Sequence, residues 1–374
     1  MSQTSAISEL AIKAPIATIA TPAFKLGHRS ELDGVRGISI LLVLFLHLGI
    51  GLPGGFLGVD IFFVLSGFLI TSLLVEEWDH KGSISLKAFY IRRVLRLMPA
   101  LLALLIVTGC YALFFLDQAK AAGVYQGILL TLSYVSNWIF AFYPSVRVGP
   151  LGITWSLAIE EQFYLVWPIL LSLALKLRVR RRTILLVLIF AIAAVAMHRR
   201  ALFGGGASVT RLYYATDTRA DALLIGCLAA LLLSWNLIPQ SKYLRPVMHA
   251  FALVAVAFVA YLAGTSAMQD AVLYRGFFTL VSLAIGVALI VLMMWPSNLV
   301  LSLLRFPALR WIGRVSYGLY LWHWPVREFM TSDIHKASPA RIVCIGGLAL
   351  GITALSFYLV EKPFLRLKRK FAAD

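Results

Sequence analysis

Cysteine is scarce in this 374-residue chain: Cys110, Cys227 and Cys344 are the three present, all within apolar stretches. They show no metal-ligand spacing, which leaves packing as their role. The sequence also lacks a GxSxG elbow, an HExxH pair and a GxxxxGK[ST] loop, so hydrolase, zinc and nucleotide-driven chemistry have no motif to rest on. Negative charge is thin, with 17 Asp and Glu against 34 Lys and Arg, a net charge of +17. Such an excess could suit nucleic acid, but its distribution argues otherwise. It gathers in short connections, at Arg92-Arg93, in the run Arg178 to Arg182 and at Lys368-Arg369-Lys370, which is the positive-inside pattern of a membrane protein. Residues 1–30 have no apolar run between a basic start and a small-residue cleavage site; they read as a disordered cytoplasmic tail rather than a signal peptide.

What the chain has is apolar length. Hydrophobic residues make up 60% and mean hydropathy is +0.86, above the roughly 45–50% of soluble domains. Apolar spans fall near 37–53, 56–76, 94–116, 152–177, 183–197, 219–238, 247–263, 271–295, 311–331 and 341–360, several of them near the ~20 residues that cross a bilayer. The fold class is therefore all-α, a polytopic membrane helical bundle of about ten transmembrane helices. One domain over 31–366 lies between the tail and a basic cytoplasmic end at 367–374. The segment 124–142 carries Gln126, Ser133, Ser136 and Asn137 among its apolar residues. With every basic cluster in the cytoplasm, parity does not let it cross, so it is expected to be re-entrant or interfacial, with both termini cytoplasmic.

Ionisable residues inside such spans mark functional sites by default. Arg36 and His47 lie eleven apart in one span, roughly 20° past three whole helical turns, hence on one face and roughly 16 Å apart. Asp60 follows in the next span, and His47 with a carboxylate such as Asp60 is the best acid–base candidate. Arg93 and Arg96 share a helix face, and paired guanidinium groups suit phosphate as well as interfacial anchoring. Glu160 and Glu161 need partners at membrane depth, as an ion pair or facing a cavity. Arg219 and Asp221, two apart, point to different faces. Tyr317 and His323 sit in an aromatic stretch that suits a sugar or ordinary packing, with Pro325 kinking its helix. Glu361-Lys362-Pro363 reads as a helix stop with snorkelling charges.

Six blocks together resemble the acyltransferase 3 family of integral membrane acyltransferases, over Leu32 to Pro363. They are Leu32-Asp33-Gly34-Val35-Arg36-Gly37 running to His47; Gly58 through Ile70; Phe89 through Arg96; Trp155 through Tyr164; Arg219 through Leu223; and Ser316 through His323. The resemblance implies transfer of an acyl group, commonly acetyl, from a coenzyme A thioester to a hydroxyl of a carbohydrate or glycolipid such as a surface polysaccharide, at a bacterial cytoplasmic membrane and without a metal. Its arginine–histidine motif falls on Arg36 and His47, and its Arg-x-x-Arg motif on Arg93 and Arg96. Many relatives have a histidine where this chain has Ile153, a departure that bears on acceptor choice. The family's fused hydrolase-like domain is not expected in a chain ending at Asp374.

The expected mechanism makes His47 the base, oriented by Asp60 or else Glu160, with Arg36 lower on its face. Arg93 and Arg96 would grip the phosphates of acetyl-coenzyme A, and the acceptor would enter from the far side near Glu160, Glu161, Arg219, Asp221, Tyr317 and His323. A secondary transporter or flippase of a lipid-linked saccharide is the alternative, although no inverted repeat is visible. Oligomeric state is not legible.

Overall fold

The computed structural model describes residues 26, 27, 29–331 and 333–368. Most of the expected tail 1–30 and of the basic end 367–374 lies outside the described residues. The tail's last part does not: Leu26 is buried and Ser30 opens the first helix.

Among the described residues the structure is helical. Helix α1 (Ser30–His47) carries Glu31 and Asp33 in its first turn, where a helix N-terminus favours negative charge. It ends at glycines, Gly49 and Gly51, in the left-handed region. Helix α2 (Leu57–Lys81) stops at Gly82, also left-handed. Helix α3 (Leu86–Phe115) is capped by the Ser85 hydroxyl, and α4 (Gln118–Leu132) by the Asp117 carboxylate. A short α5 (Ser136–Phe142) and a 3₁₀ turn (Gly149–Thr154) lead into α6 (Trp155–Lys176). Then come α7 (Arg181–Gly204), α8 (Val209–Tyr214), α9 (Ala220–Ser234), α10 (Leu244–Thr265) and α11 (Phe278–Met294). The chain closes with α12 (Asn298–Leu304), α13 (Pro307–Arg314), α14 (Ser316–Met330), α15 (Pro339–Leu355) and α16 (Lys362–Lys368).

Among the described residues, seven helical segments are long and apolar enough to span a membrane, as the bundle class requires. Three of the ten expected spans fall outside that set: α1 is charged, and α9 and α14 have 15 residues each. Fifteen residues rise only about 22 Å, short of a ~30 Å hydrocarbon core. The segment 124–142, expected to be re-entrant or interfacial, is divided between α4 and α5. It breaks at Tyr134, whose φ is 53°, because Gln162 of α6 donates to the Tyr134 carbonyl at 2.8 Å and to Asn137 at 3.0 Å. Two short helices result; Asn137 meets Gln162 of α6 and Ser136 meets Thr154 just before it, while Gln126 and Ser133 are exposed.

The bundle has a centre and a rim. In α2, 78% of the apolar window is buried, against 22% in α7 and 17% in α10. The outer helices present Phe114, Leu186, Phe190 and Leu253 outward, as lipid-facing surfaces do. At the centre α2 crosses α9 with backbones nearly touching: a methyl at Gly67 would collide with the Leu223 carbonyl oxygen, and one at Gly226 with that of Val64. Small residues permit this approach, which is how membrane helices gain packing without a hydrophobic drive between them.

Replacing Gly67 by alanine is therefore expected to lower stability by about 1–3 kcal/mol, the usual penalty of overpacking. Thermal unfolding in detergent, compared with an alanine at the unobstructed Gly264, measures it.

Candidate active site

Two cavities lie end to end along α1. Arg36 lines a cavity of about 390 Å³ with Arg93 and Arg96 of α3, Ser66 of α2, Glu160 and Tyr164 of α6, and Tyr317 of α14. His47, at the other end of α1, lines a cavity of about 1090 Å³ with Tyr213, Tyr214, Trp324, Arg327 and the 146–149 loop. The separation expected for Arg36 and His47 on one helix thus becomes a separation between two compartments.

In the arginine cavity, the cations outnumber their partners. Arg36 meets Asp33 at 3.5 Å, a loose pair. Arg93 lies over the rings of Tyr164 at 5.0 Å and Phe89 at 5.5 Å. Neither Arg93 nor Arg96 has a carboxylate within 4.0 Å among the described residues. Glu160 is held apart from them by hydrogen bonds from Ser66 at 2.8 Å and from Tyr164 at 3.4 Å. Four arginines line this cavity: Arg29, 3.8 Å from Glu31, and Arg36 are loosely paired, while Arg93 and Arg96 have no carboxylate in reach, an arrangement that fits a phosphate-bearing ligand.

In the histidine cavity the geometry fixes a tautomer. His323 Nδ1 lies 3.0 Å from the Leu319 carbonyl oxygen, and its Nε2 lies 2.8 Å from His47 Nδ1. A carbonyl only accepts, so His323 Nδ1 carries the proton and its Nε2, in the neutral ring, is an acceptor. His47 Nδ1–H must then donate, which leaves His47 Nε2 with a free lone pair. The ring is fixed on two sides, edge to edge and nearly coplanar with His323, with centroids 5.1 Å apart as the in-plane N–H···N bond requires, and edge-on to Trp324 at 4.8 Å. A base held in one tautomer and one orientation is what proton abstraction requires.

The structure corrects the expected partners of His47. Asp60 does not orient it: Asp60 is buried and accepts from Arg219 at 2.8 Å. Nor does Glu160, which belongs to the arginine cavity. Asp60 lies on the α2 face turned to α9, while His323, a turn beyond Leu319 on α14, meets the end of α1. The far-side acceptor cluster is also redistributed. Tyr317 lines the arginine cavity and donates to the Leu97 carbonyl at 3.0 Å. Glu161 lines a third cavity of about 450 Å³ with Tyr134, Trp138 and Gln162. Neither Arg219 nor Asp221 lines a cavity described here. Arg219 is 1% exposed, its guanidinium 3.9 Å over the Phe278 ring. Asp221 accepts two hydrogen bonds from Arg199, at 3.0 and 2.9 Å, in an ion pair shut from solvent. Glu361 does not snorkel: it is 5% exposed and packs against Gly318. Ile153 is buried, and its carbonyl accepts from the Tyr320 hydroxyl at 3.1 Å.

Sequence reasoning missed Arg199. Arg199 closes an apolar span one element before Arg219-Ala220-Asp221, and a charge so placed calls for a buried partner. Ser66 and Tyr320 fall within two of the six blocks, Gly58 through Ile70 and Ser316 through His323.

Comparison with known proteins covers nearly the whole chain. A family model described as an acyltransferase domain matches residues 29–359. The peptidoglycan O-acetyltransferase OatA of Listeria monocytogenes is 35% identical over 348 residues, 89% of this chain and 55% of that protein. YrhL of Bacillus subtilis is 35% identical over 346 residues, 89% of this chain and 54% of its own length. A Staphylococcus aureus relative is 33% identical over 356 residues, with 91% and 58% covered. The chain thus spans about half the length of the curated relatives it matches. No solved structure matches it.

If Asp60 and Arg219 are scaffold, removing one leaves a buried charge alone. Asp60→Leu is expected to cost about 3–5 kcal/mol, and adding Arg219→Met to recover most of it. Thermal unfolding of the single and double variants checks this.

Proposed function

The chain belongs to the acyltransferase 3 family, and from that premise we propose that it moves an acetyl group from acetyl-coenzyme A to a hydroxyl of a cell-wall or related surface carbohydrate. The acceptor class follows the peptidoglycan named for the Listeria relative. The setting is a bacterial cytoplasmic membrane, with both termini on the cytoplasmic side, where the basic clusters lie.

One juxtaposition carries the reading. A cavity lined by arginines, two of them without a carboxylate in reach, abuts a cavity holding a histidine with a free Nε2. The first suits a donor whose handle is phosphate, and the second suits an acceptor whose hydroxyl must lose a proton. Arg93 and Arg96 grip the donor phosphates, with Arg36 further in along α1. The slim pantetheine arm carries the thioester toward His47.

In the reaction the acceptor oxygen attacks the thioester carbonyl carbon while His47 Nε2 takes the hydroxyl proton. The carbon–sulfur bond then breaks. The imidazolium of His47 returns that proton to the departing thiolate, leaving an ester, free coenzyme A and a neutral histidine. While His47 is charged, its Nδ1–H bond to His323 is charge-assisted and so strengthened. His323 keeps its own proton, pinned on Leu319. It acts as a positioning residue in the place a carboxylate holds in a triad.

His47→Ala should remain folded yet lose about 10²–10⁴-fold in acetyl transfer, read as labelled acetyl incorporated into glycan by membrane vesicles. His323→Gln, which has a side-chain carbonyl to accept from His47, should retain more activity than His323→Ala. Arg96→Ala should raise the donor KM with kcat little changed. Full activity in His47→Ala would end this reading.

A further inference from the structure

Val59 of α2 and Tyr320 of α14 each line both cavities. Both are buried, at 6% and 7% exposure. The phenol is pinned across the boundary. Its only proton goes to the Ile153 carbonyl at 3.1 Å, so Ser156 donates to it at 2.6 Å. Ser156 lines the arginine cavity and Ile153 the histidine cavity, so the ring is tied to each side. Its centroid lies 5.7 Å from that of His323.

We infer that Val59 and Tyr320 form an acyl-length filter between donor and acceptor compartments. The inference rests on the acetyl-transfer reading above and adds which donors pass. A thioester anchored by its phosphates in the arginine cavity reaches His47 with its acyl group leading. The acyl group is therefore the first part to meet the Val59 side chain and the Tyr320 ring. Acetyl presents one methyl beyond the carbonyl. Butyryl presents two further methylenes, which need space that these side chains occupy. Interiors are close-packed and yield little to added methylenes, and a ring held by two hydrogen bonds yields less than a free one. Truncation on either side of the boundary makes room for the longer chain.

The test uses the full chain in inverted membrane vesicles from the producing cells, which hold the native acceptor. They are supplied with acetyl-, propionyl- or butyryl-coenzyme A labelled in the acyl group. Wild type is expected to transfer acetyl best. Val59→Ala and Tyr320→Leu should each raise the butyryl-to-acetyl rate ratio by about tenfold or more, the lower end of what methylene-sized differences in a pocket produce. Tyr320→Phe keeps the ring but loses both hydrogen bonds and should fall between wild type and Tyr320→Leu, while Val59→Ile should lower propionyl transfer with acetyl transfer retained. Should Tyr320→Leu fail to fold, Val59→Ala decides. Unchanged ratios in Val59→Ala and Tyr320→Leu, with acetyl transfer intact, would overturn the filter and leave the acetyl-transfer reading standing. No transfer by wild type from any of the three donors would remove that reading and the filter together.

Discussion

The hydrogen-bonded chain from the Leu319 carbonyl through His323 to His47 is the interaction on which the site depends. It joins the end of α1 to the middle of α14 and decides which nitrogen of His47 is bare. A carboxylate could orient the ring too, but at membrane depth it would bring a charge needing its own partner. A backbone carbonyl orients through a neutral ring and adds no net charge. The helix carrying Leu319 supplies the anchor that His323 needs one turn further on.

Two groups of charge stand out. Asp60 with Arg219, Asp221 with Arg199 and Glu31 with Arg305 are ion pairs with at least one partner buried. They tie α2 to α9, α9 to α7, and α1 to the end of α12. Such pairs hold helix positions, and breaking one strands its partner. Arg93 and Arg96 are the opposite case, cations facing a cavity without a carboxylate in reach. That division distinguishes the matched pairs between helices from cavity-facing cations with no carboxylate in reach, a distinction that burial alone does not draw.

The sequence carried the bundle, the shared face of Arg36 and His47, and the arginine pair, because helical periodicity and apolar length are local properties. Long-range pairing was not local. Asp60 follows His47 closely in the chain, yet the turn through the glycine-rich 49–55 loop directs Asp60 to α9, whereas His323 arrives from 276 residues away. Tyr317 and Glu160 line the arginine cavity rather than the one at His47, since both compartments are built from the same helices at different depths. Nothing in composition fixes depth within a helix whose ends are themselves uncertain by several residues. The break at Tyr134 depends on Gln162, a residue on a different helix.

The most direct test of the account is the protonation of His47 itself. Nitrogen-15 NMR of histidine-labelled protein in nanodiscs, assigned with His47→Ala and His323→Gln, reads which ring nitrogen carries the proton. The account predicts His47 protonated at Nδ1 and bare at Nε2, with coupling across the hydrogen bond to His323 Nε2. A neutral His47 carrying its proton on Nε2 would contradict it, since that ring could not take a proton from an acceptor in the cavity.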